Sequence, residues 1–496
     1  MSYKIMNNNT EVTASGLEIE FYINDKFVQV LINPESSALK VIREQLYLTG
    51  TKEPCNEGDC GGCTIALGRW INENDFCYSA VNSCILPASR LHGNHIITVE
   101  GLNQGKQLHI IQQEMLEKHA VQCGFCTSGF LMSIYCLLVN NSNPENDDIS
   151  ESLEGNLCRC TGYKFINDAV LSVIYKMKNN DFSNKLVPDY AFNVQKKLKN
   201  FTKKAILVNR QFHTLDLCKH YFIPNNYSEL FSLMSEFKGR FSVINGGTDL
   251  MVQGNIRDLW PEILIDISKI NSLDFIKHEN NMVIVGGNTN FYKLQQNLII
   301  QHHIPVLISA ISKLASHQIR NIATLAGNIA NASPVADCVC VLLALGSTVV
   351  IKSKNNEYKI QLKDFFKEYK NIALDKNSEI ISAIEIPFQR NYCNFEKTSK
   401  RMVMDIATIN SCINLNVRNN KIISCNLALG GVSAIPVLAV KTSDFLIKKE
   451  LNWNNISSAI DILASEFSPI SDVRGTSEYR LLLMKNHLKK HFSKIV

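Results

Sequence analysis

At 496 residues the chain is longer than one ordinary domain and predicts three or four. Its 45% hydrophobic and 20% charged content is that of a globular protein, and a net charge of +5 at this length gives no case for nucleic acid. No run approaches the roughly 18–20 uninterrupted apolar residues of a membrane-spanning helix. Met1–Gly16 is polar and Asn-rich, without the apolar stretch of a secretion signal. The 16 cysteines are therefore expected in a reducing cytoplasm, where ligand-like spacing reads as metal binding and disulfides are the plainer alternative.

Residues 17–34 alternate in strand fashion, with Leu17, Ile19 and Phe21 on one face, then Phe27-Val28-Gln29-Val30-Leu31. Asn24-Asp25 supplies the turn between them. Ser36 or Ser37 caps an expected helix in which Leu39, Ile42 and Leu46 share a face. A cysteine loop follows, and Val81–Cys84 with Ile96–Val99 completes the expected sheet. Strand, turn, strand, helix and cysteine loop is the layout of a small β-grasp ferredoxin, placed at residues 15–101.

The loop reads Cys55-x4-Cys60-x2-Cys63, and Cys84 follows after a gap of 20 residues. That is the plant-type spacing for a 2Fe–2S cluster. Gly58, Gly61 and Gly62 let the loop turn its backbone N–H groups toward the net negative charge of an iron–sulfide core. Zinc, the competing occupant, favours Cys-x2-Cys knuckles over a four-residue gap. Cys77 is nearer in sequence, but Cys84 ends an apolar strand-like run and is the expected fourth ligand.

From about Gln107 the pattern becomes helical. Leu108, Ile111 and Met115 share one face, Phe130, Ile134 and Leu138 another, and a last helix is expected over Phe165–Met177. Residues 102–180 thus read as a four-helix domain. Cys123-x2-Cys126 and Cys158-x-Cys160 fall at helix ends, a second four-thiolate set. Cysteines two apart diverge on a helix, so Cys158 and Cys160 are expected in a loop. Thr127 or Ser128 is expected to cap the helix that Cys126 opens, bringing its positive end to the thiolates. Zinc also fits this set; the neighbouring cluster argues for iron, because an electron relay needs a second station.

Residues 181–212 are Lys- and Asn-rich and read as a linker. The basic runs Lys196–Lys204 and Lys485–Lys494 read as solvated faces. A mixed α/β region over 213–395 and an α+β piece over 396–496 follow. Phe241–Ile244 reads as a strand running into Asn245-Gly246-Gly247-Thr248-Asp249, whose glycines can form a nest of N–H groups around a pyrophosphate. Gly327-Asn328-Ile329-Ala330-Asn331-Ala332-Ser333-Pro334, with Asp337 close behind, offers close approach and hydrogen bonding. Neither is a Gly-x-Gly-x-x-Gly fingerprint, and a tight turn is the plainer reading of Gly-Gly-Thr.

The strings PCNEGDCGGCT (54–64), AVNSCILP (80–87), VQCGFCTSGF (121–130), LEGNLCRCTGY (153–163), NGGTDL (245–250), HQIRNIATLAGNIANASPVAD (317–337) and IEIP (384–387) resemble, in order and spacing, the small subunit of bacterial xanthine dehydrogenases, members of the molybdenum hydroxylase family. The resemblance implies a multidomain α+β chain: ferredoxin domain, four-helix 2Fe–2S domain, α/β FAD-binding domain of the vanillyl-alcohol-oxidase (PCMH) type, and C-terminal α+β flavoprotein domain. It implies one 2Fe–2S cluster on Cys55, Cys60, Cys63 and Cys84 and a second on Cys123, Cys126, Cys158 and Cys160. The second would be nearest a molybdopterin carried by a separate large subunit, with Gln122 beside it. FAD would be lined by Val243, Ile244, Asn245, Gly246, Gly247, Thr248, Asp249, Thr324, Gly327, Asn328, Ser333 and Asp337. Ile381 would touch the ring system and Lys397 would lie near it.

The implied activity is relay. A partner oxidises hypoxanthine or xanthine, and electrons cross the helical cluster, the ferredoxin cluster and FAD to reach NAD. No general base is assigned to this chain, and the implied assembly is a heterodimer with the molybdenum subunit, paired further. Two differences lie beside the flavin. Leu314 stands where many relatives carry an aromatic residue, and Val403-Met404 precede Asp405 where relatives carry an acidic run; the latter bears on the flavin potential and on the choice of acceptor. Partners acting on aldehydes or other N-heterocycles, with oxygen or a quinone as acceptor, form the alternative enzyme reading. A zinc-bound or thiol-switch interaction protein is the alternative of another class.

Overall fold

The computed structural model describes residues 17–103, 105, 107–179, 186–199 and 220–496. Its chain divides into two units. One holds the described residues up to Ile223 together with Arg240–Asp266 and Ser316–Ile322; the other holds Pro224–Gly239, Ile267–Ala315 and Ala323–Val496.

The first unit begins with the hairpin β1 (Leu17–Ile23) and β2 (Lys26–Ile32), turned at Asn24, which takes φ 53°. Leu17, Ile19, Phe21 and Ile23 are buried in alternation, whereas β2, an edge strand, leaves Phe27 and Leu31 exposed. Ser37 Oγ accepts from the N–H of Lys40 and so caps the short helix Ala38–Lys40, which continues as a wide turn over Val41–Gln45. Strands β3 (Thr64–Trp70) and β4 (Phe76–Asn82) form a second hairpin, and β5 (His95–Ile97) lies parallel to β1. The sheet order β2-β1-β5-β3-β4 is the β-grasp arrangement. Of the two expected closing strands, β4 stops before Cys84, which sits in the tight turn Ser83–Ile85.

Helices Ile110–Glu117, Thr127–Asn140, Asn146–Leu153 and Lys164–Lys178 follow. Phe130, Ile134, Tyr135 and Leu138 bury one side of the second against Ile111, Met115, Val170 and Val173. Each such side chain contributes roughly 1.5–3 kcal/mol on burial. Leu108 precedes the first helix and is exposed, outside the face assigned to it.

The expected linker at 181–212 is corrected in part. Asp189–Lys199 is a helix, with Ala191, Val194 and Leu198 buried and Tyr190 donating to the carbonyl of Gly101 at 2.6 Å. Its apolar residues recur at three and four positions, enough for an amphipathic face despite the surrounding lysines. Residues 181–185 and 200–212 of that linker lie outside the described residues. Strands β6 (His220–Phe222), β7 (Phe241–Ile244) and β8 (Ile263–Asp266) make a parallel sheet in the order β6-β8-β7.

In the second unit, β9 (Ile276–Glu279), β10 (Met282–Gly286), β11 (Thr348–Lys352), β12 (Glu357–Gln361) and β15 (Ile380–Pro387) form an antiparallel sheet in the order β12-β11-β15-β10-β9. The small pair β13 (Phe366–Glu368) and β14 (Asn371–Ile372) stands apart from it. Among the accompanying helices are Leu325–Asn331 and the fully buried Asp337–Leu345. The C-terminal part is a meander of β16 (Tyr392–Thr398), β17 (Ile409–Arg418), β18 (Lys421–Gly430) and β19 (Val437–Leu438). Asn419 and Asn420, at φ 49° and 59°, supply the two left-handed residues of the β17–β18 turn. Helices Trp453–Glu466 and Ser477–Phe492 pack Ile456, Leu463, Met484, Leu488 and Phe492 against the sheet residues Ile413, Leu415 and Leu427.

Candidate iron–sulfur and flavin sites

The β3–β4 ladder explains the first thiol cluster. Thr64 pairs with Asn82, so Cys63, just before β3, meets Cys84, just after β4. Their sulfurs lie 3.2 Å apart, both buried. Cys55 contacts both Cys60 and Cys84. Contacts among the sulfurs hold the Cys55 and Cys63 thiols low and drive Cys60 and Cys84 high, so the four share protons as one group. Cys77 points elsewhere, with its sulfur 3.4 Å from Asn140 Oδ1. The loop between the thiols turns through left-handed residues at Asn56, Gly58 and Gly61.

The second set sits at helix ends as the spacing requires. Cys126 is the N-cap of the helix Thr127–Asn140. The expected hydroxyl cap is corrected: no side chain caps this helix, and Ser128 Oγ is buried with no partner among the described residues, because Thr127 and Ser128 lie inside the first turn rather than before it. Cys158 and Cys160 lie in the loop between Leu153 and Lys164. Cys160 Sγ is 3.7 Å from Cys123 Sγ, and Cys126 contacts Cys158. Burial and then Cys158 push the Cys126 thiol up to about 12. Burial opposes ionisation of Cys158 too, but the hydroxyl and N–H of Thr161 donate to its sulfur at 3.1 and 3.4 Å and bring it down. Cys123 and Cys160 are exposed, as is Gln122, and Phe125, Leu157, Tyr163 and Phe165 are exposed around them.

The two loops touch. The N–H of Leu157 donates to the carbonyl of Cys60 at 3.0 Å, and Asn156 Nδ2 donates to the carbonyl of Gly61 at 3.0 Å. A Cβ on Gly61 would stand 2.2 Å from the carbonyl oxygen of Gly155, so only glycine allows this approach. Among the described residues no three His, Cys, Asp or Glu converge as a single metal ion would require. A dinuclear cluster takes two thiolates on each iron; the first site links its four thiols as Cys60–Cys55–Cys84–Cys63 and the second presents the pairs Cys123–Cys160 and Cys126–Cys158, so both donor sets fit 2Fe–2S.

The glycine turn follows β7 directly. Gly247 takes φ 78°, and the helix Leu250–Arg257 starts after Asp249. Arg90 donates to the carbonyl of Asn245 and to Asp266, at 3.0 and 3.1 Å to the two carboxylate oxygens, and Tyr221 donates to Asp266 at 2.6 Å. The turn that would face a pyrophosphate is thereby fixed by a half-buried guanidinium. Val243, Gly246 and Thr248 fall on the same strand and turn.

In the second unit, Thr324 caps the helix Leu325–Asn331 by accepting from the N–H of Gly327 at 3.1 Å. Asn328 Oδ1 is buried and has no partner among the described residues, so a donor from a bound flavin nucleotide would satisfy it. Ser333 Oγ accepts from the N–H of Val335 at 3.4 Å, and Ile381 is buried on β15. Asp337 and Lys397 bind one another at 2.6 Å; Asn410 also donates to the carboxylate at 2.7 Å, and Lys397 donates to the carbonyl of Lys313 at 2.8 Å. Burial raises the Asp337 carboxyl against the pull of Lys397. Both residues expected beside FAD are thus engaged with each other. Leu314 is half-buried, and Met404 is buried with its carbonyl accepting from Arg401.

Three family descriptions match the chain: "[2Fe-2S] binding domain" over residues 98–171, "FAD binding domain in molybdopterin dehydrogenase" over 211–389, and "CO dehydrogenase flavoprotein C-terminal domain" over 395–495. By these three matches the chain is similar to the molybdenum hydroxylases and carries iron–sulfur and flavin domains of their kind. It is similar to the xanthine dehydrogenase of Emericella nidulans, 29% identical across 87% of this chain and 35% of that protein. Aldehyde oxidase 1 of Macaca fascicularis is 27% identical, across 96% of this chain and 39% of that protein. The chain therefore spans between a third and two fifths of the length of these molybdenum hydroxylases. Quinoline 2-oxidoreductase from Pseudomonas putida 86 shares the fold over 57% of this chain and 98% of its own, with TM-score 0.53 and 22% identity. A carbon monoxide dehydrogenase chain from Hydrogenophaga pseudoflava does so over 55% and 94%, with TM-score 0.53 and 24% identity.

Arg90, Tyr221, Asp266, Ser133, Asn156 and Gln318 carry no mark in the sequence. Their partnerships span up to 185 residues and follow no period that a single sequence displays.

Proposed function

We propose that the chain is the electron-transfer subunit of a xanthine dehydrogenase, taking electrons from a molybdopterin-bearing partner that oxidises hypoxanthine or xanthine and delivering them to NAD. The observation that carries the reading is the hydrogen bond from Leu157 to Cys60, which joins the loops of two four-thiol sites. When bound, the clusters would pass single electrons and FAD would gather two for a two-electron acceptor. The residues themselves hold and tune. Cys55, Cys60, Cys63 and Cys84 would ligate one cluster, and Cys123, Cys126, Cys158 and Cys160 the other. Thr161 donates to Cys158 and disfavours its protonation. Arg90 fixes the carbonyl of Asn245, and Thr324, Gly327 and Asn328 would bind a flavin nucleotide.

The exposed rim of Phe125, Leu157, Tyr163 and Phe165 around Cys123 and Cys160 supports docking of the molybdenum partner at the helical cluster. The xanthine dehydrogenases among the relatives support a purine substrate, NAD is the acceptor that the resemblance implies, and a cytoplasmic setting suits the fifteen cysteines that are free among the described residues. The similarity to an aldehyde oxidase favours, as a second reading, a partner acting on aldehydes. The test is the assembled complex on a panel of purines, aldehydes and N-heterocycles with NAD, oxygen or a quinone. Turnover of xanthine with NAD alone is expected; turnover confined to aldehydes, or to oxygen, would replace that specificity.

A further inference from the structure

Gln318 lies in the stretch matched by the FAD-binding family, yet its side chain is spent on the iron–sulfur loops. Nε2 donates to Ser133 Oγ and to Asn156 Oδ1, each at 3.0 Å. Ser133 belongs to the helix that Cys126 opens, and its hydroxyl donates to the same Asn156 oxygen at 2.7 Å. Asn156, two residues before Cys158, then donates to the carbonyl of Gly61, the residue after Cys60. Gly61 also accepts from the Thr64 hydroxyl at 2.7 Å.

Gln318, Asn156, Ser133 and Thr64 are 0%, 2%, 1% and 1% exposed, so water does not compete for these bonds. The approach is built for an amide. A Cβ on Gly155 would stand 1.9 Å from Gln318 Oε1 and 2.7 Å from Ser316 Cβ, so the glycine leaves the room that the Gln318 side chain occupies. One amide nitrogen supplies both donors that Ser133 and Asn156 need; a glutamate would supply neither and would set a carboxylate against Asn156 Oδ1.

We infer that Gln318 is a positioning residue for the two thiol sites, fixing the Asn156 amide and through it the separation and orientation of the loops 55–63 and 156–160. The inference rests on the iron–sulfur reading. If it holds, a residue of the flavin-binding stretch sets how the two clusters sense one another.

The test uses the full chain carrying Gln318→Glu or Gln318→Leu, with iron, sulfide and FAD quantified and the dithionite-reduced protein examined by electron paramagnetic resonance. Two reduced clusters close together split or broaden each other's signals, and that coupling follows their distance and orientation. Both variants are expected to retain iron and FAD but to show altered spin coupling and shifted midpoint potentials at both clusters. Unaltered coupling and potentials at full iron content would overturn the inference. Should either variant fail to fold, Gln318→Met, which keeps the side-chain length and removes both donors, is expected to give the same change, and no change would overturn the inference equally. A wild-type chain without any 2Fe–2S signal would instead remove the iron–sulfur reading itself, a separate outcome.

Discussion

The backbone N–H of Leu157 donates to the carbonyl of Cys60 at 3.0 Å, so one hydrogen bond separates a residue of the first thiol site from the neighbour of Cys158 in the second. A relay asks for such proximity. Two independent structural metal sites would not require it.

Cys84 and Cys77 make the sharpest local test of the first site. Cys84→Ser is expected to lose about half of the iron, one cluster of two. Cys77→Ser, whose sulfur faces Asn140, is expected to retain it all. Iron and sulfide assays on the two purified variants decide the assignment; equal losses would refute it.

Gly61→Ala is expected to fail at the contact between the loops. Its φ of 70° costs a side-chain-bearing residue about 1–3 kcal/mol, and the new Cβ would meet the carbonyl of Gly155. Both sites should suffer, since the clash falls between them. Visible absorption and iron content, compared with Gly105→Ala at an open position, check this.

Lys397 and Asp337 form a buried pair, 3% and 5% exposed at their side chains. Lys397→Met leaves the carboxylate with Asn410 alone and is expected to destabilise the second unit by about 3–5 kcal/mol, with loss of FAD. The double variant Lys397→Met, Asp337→Asn should recover much of that stability. Denaturant unfolding of the three proteins measures it.

Acid should weaken the C-terminal part. His487 and His491 are buried around Ser411, at 2.9 and 2.8 Å, and burial lowers them to about 4 and about 3. The surrounding charges are Glu396, Lys313, Lys490 and Lys494. Because the folded values lie below the unfolded value of about 6.5, the unfolded chain binds more protons between them. Their contribution is whole above about pH 6.5 and is lost as the pH falls toward 4 and then 3. The urea midpoint is expected to drop between pH 7.5 and 4.5, and to drop less in His491→Asn.

The gathering of the thiols was legible because spacing is a local property: Cys55, Cys60 and Cys63 share one loop, and an apolar strand delivers Cys84. The strand into Asn245-Gly246-Gly247 was legible for the same reason. The helix Asp189–Lys199 was hidden by its lysines, although Ala191, Val194 and Leu198 carried the period. What no local pattern announces is long-range polar chemistry. Arg90 meets Asp266 across 176 residues, and Gln318 meets Asn156 across 162. Lys397 and Asp337 were each placed beside the flavin, but their pairing depends on how the C-terminal sheet, through β17 and β18, comes to lie against the buried helix Asp337–Leu345.

The relay stands or falls on the cofactor content of the anaerobically purified chain, with its visible spectrum followed during titration with NADH. About four irons, about four acid-labile sulfides and about one FAD per chain, bleached by NADH, are expected. Zinc in place of iron and sulfide would contradict it.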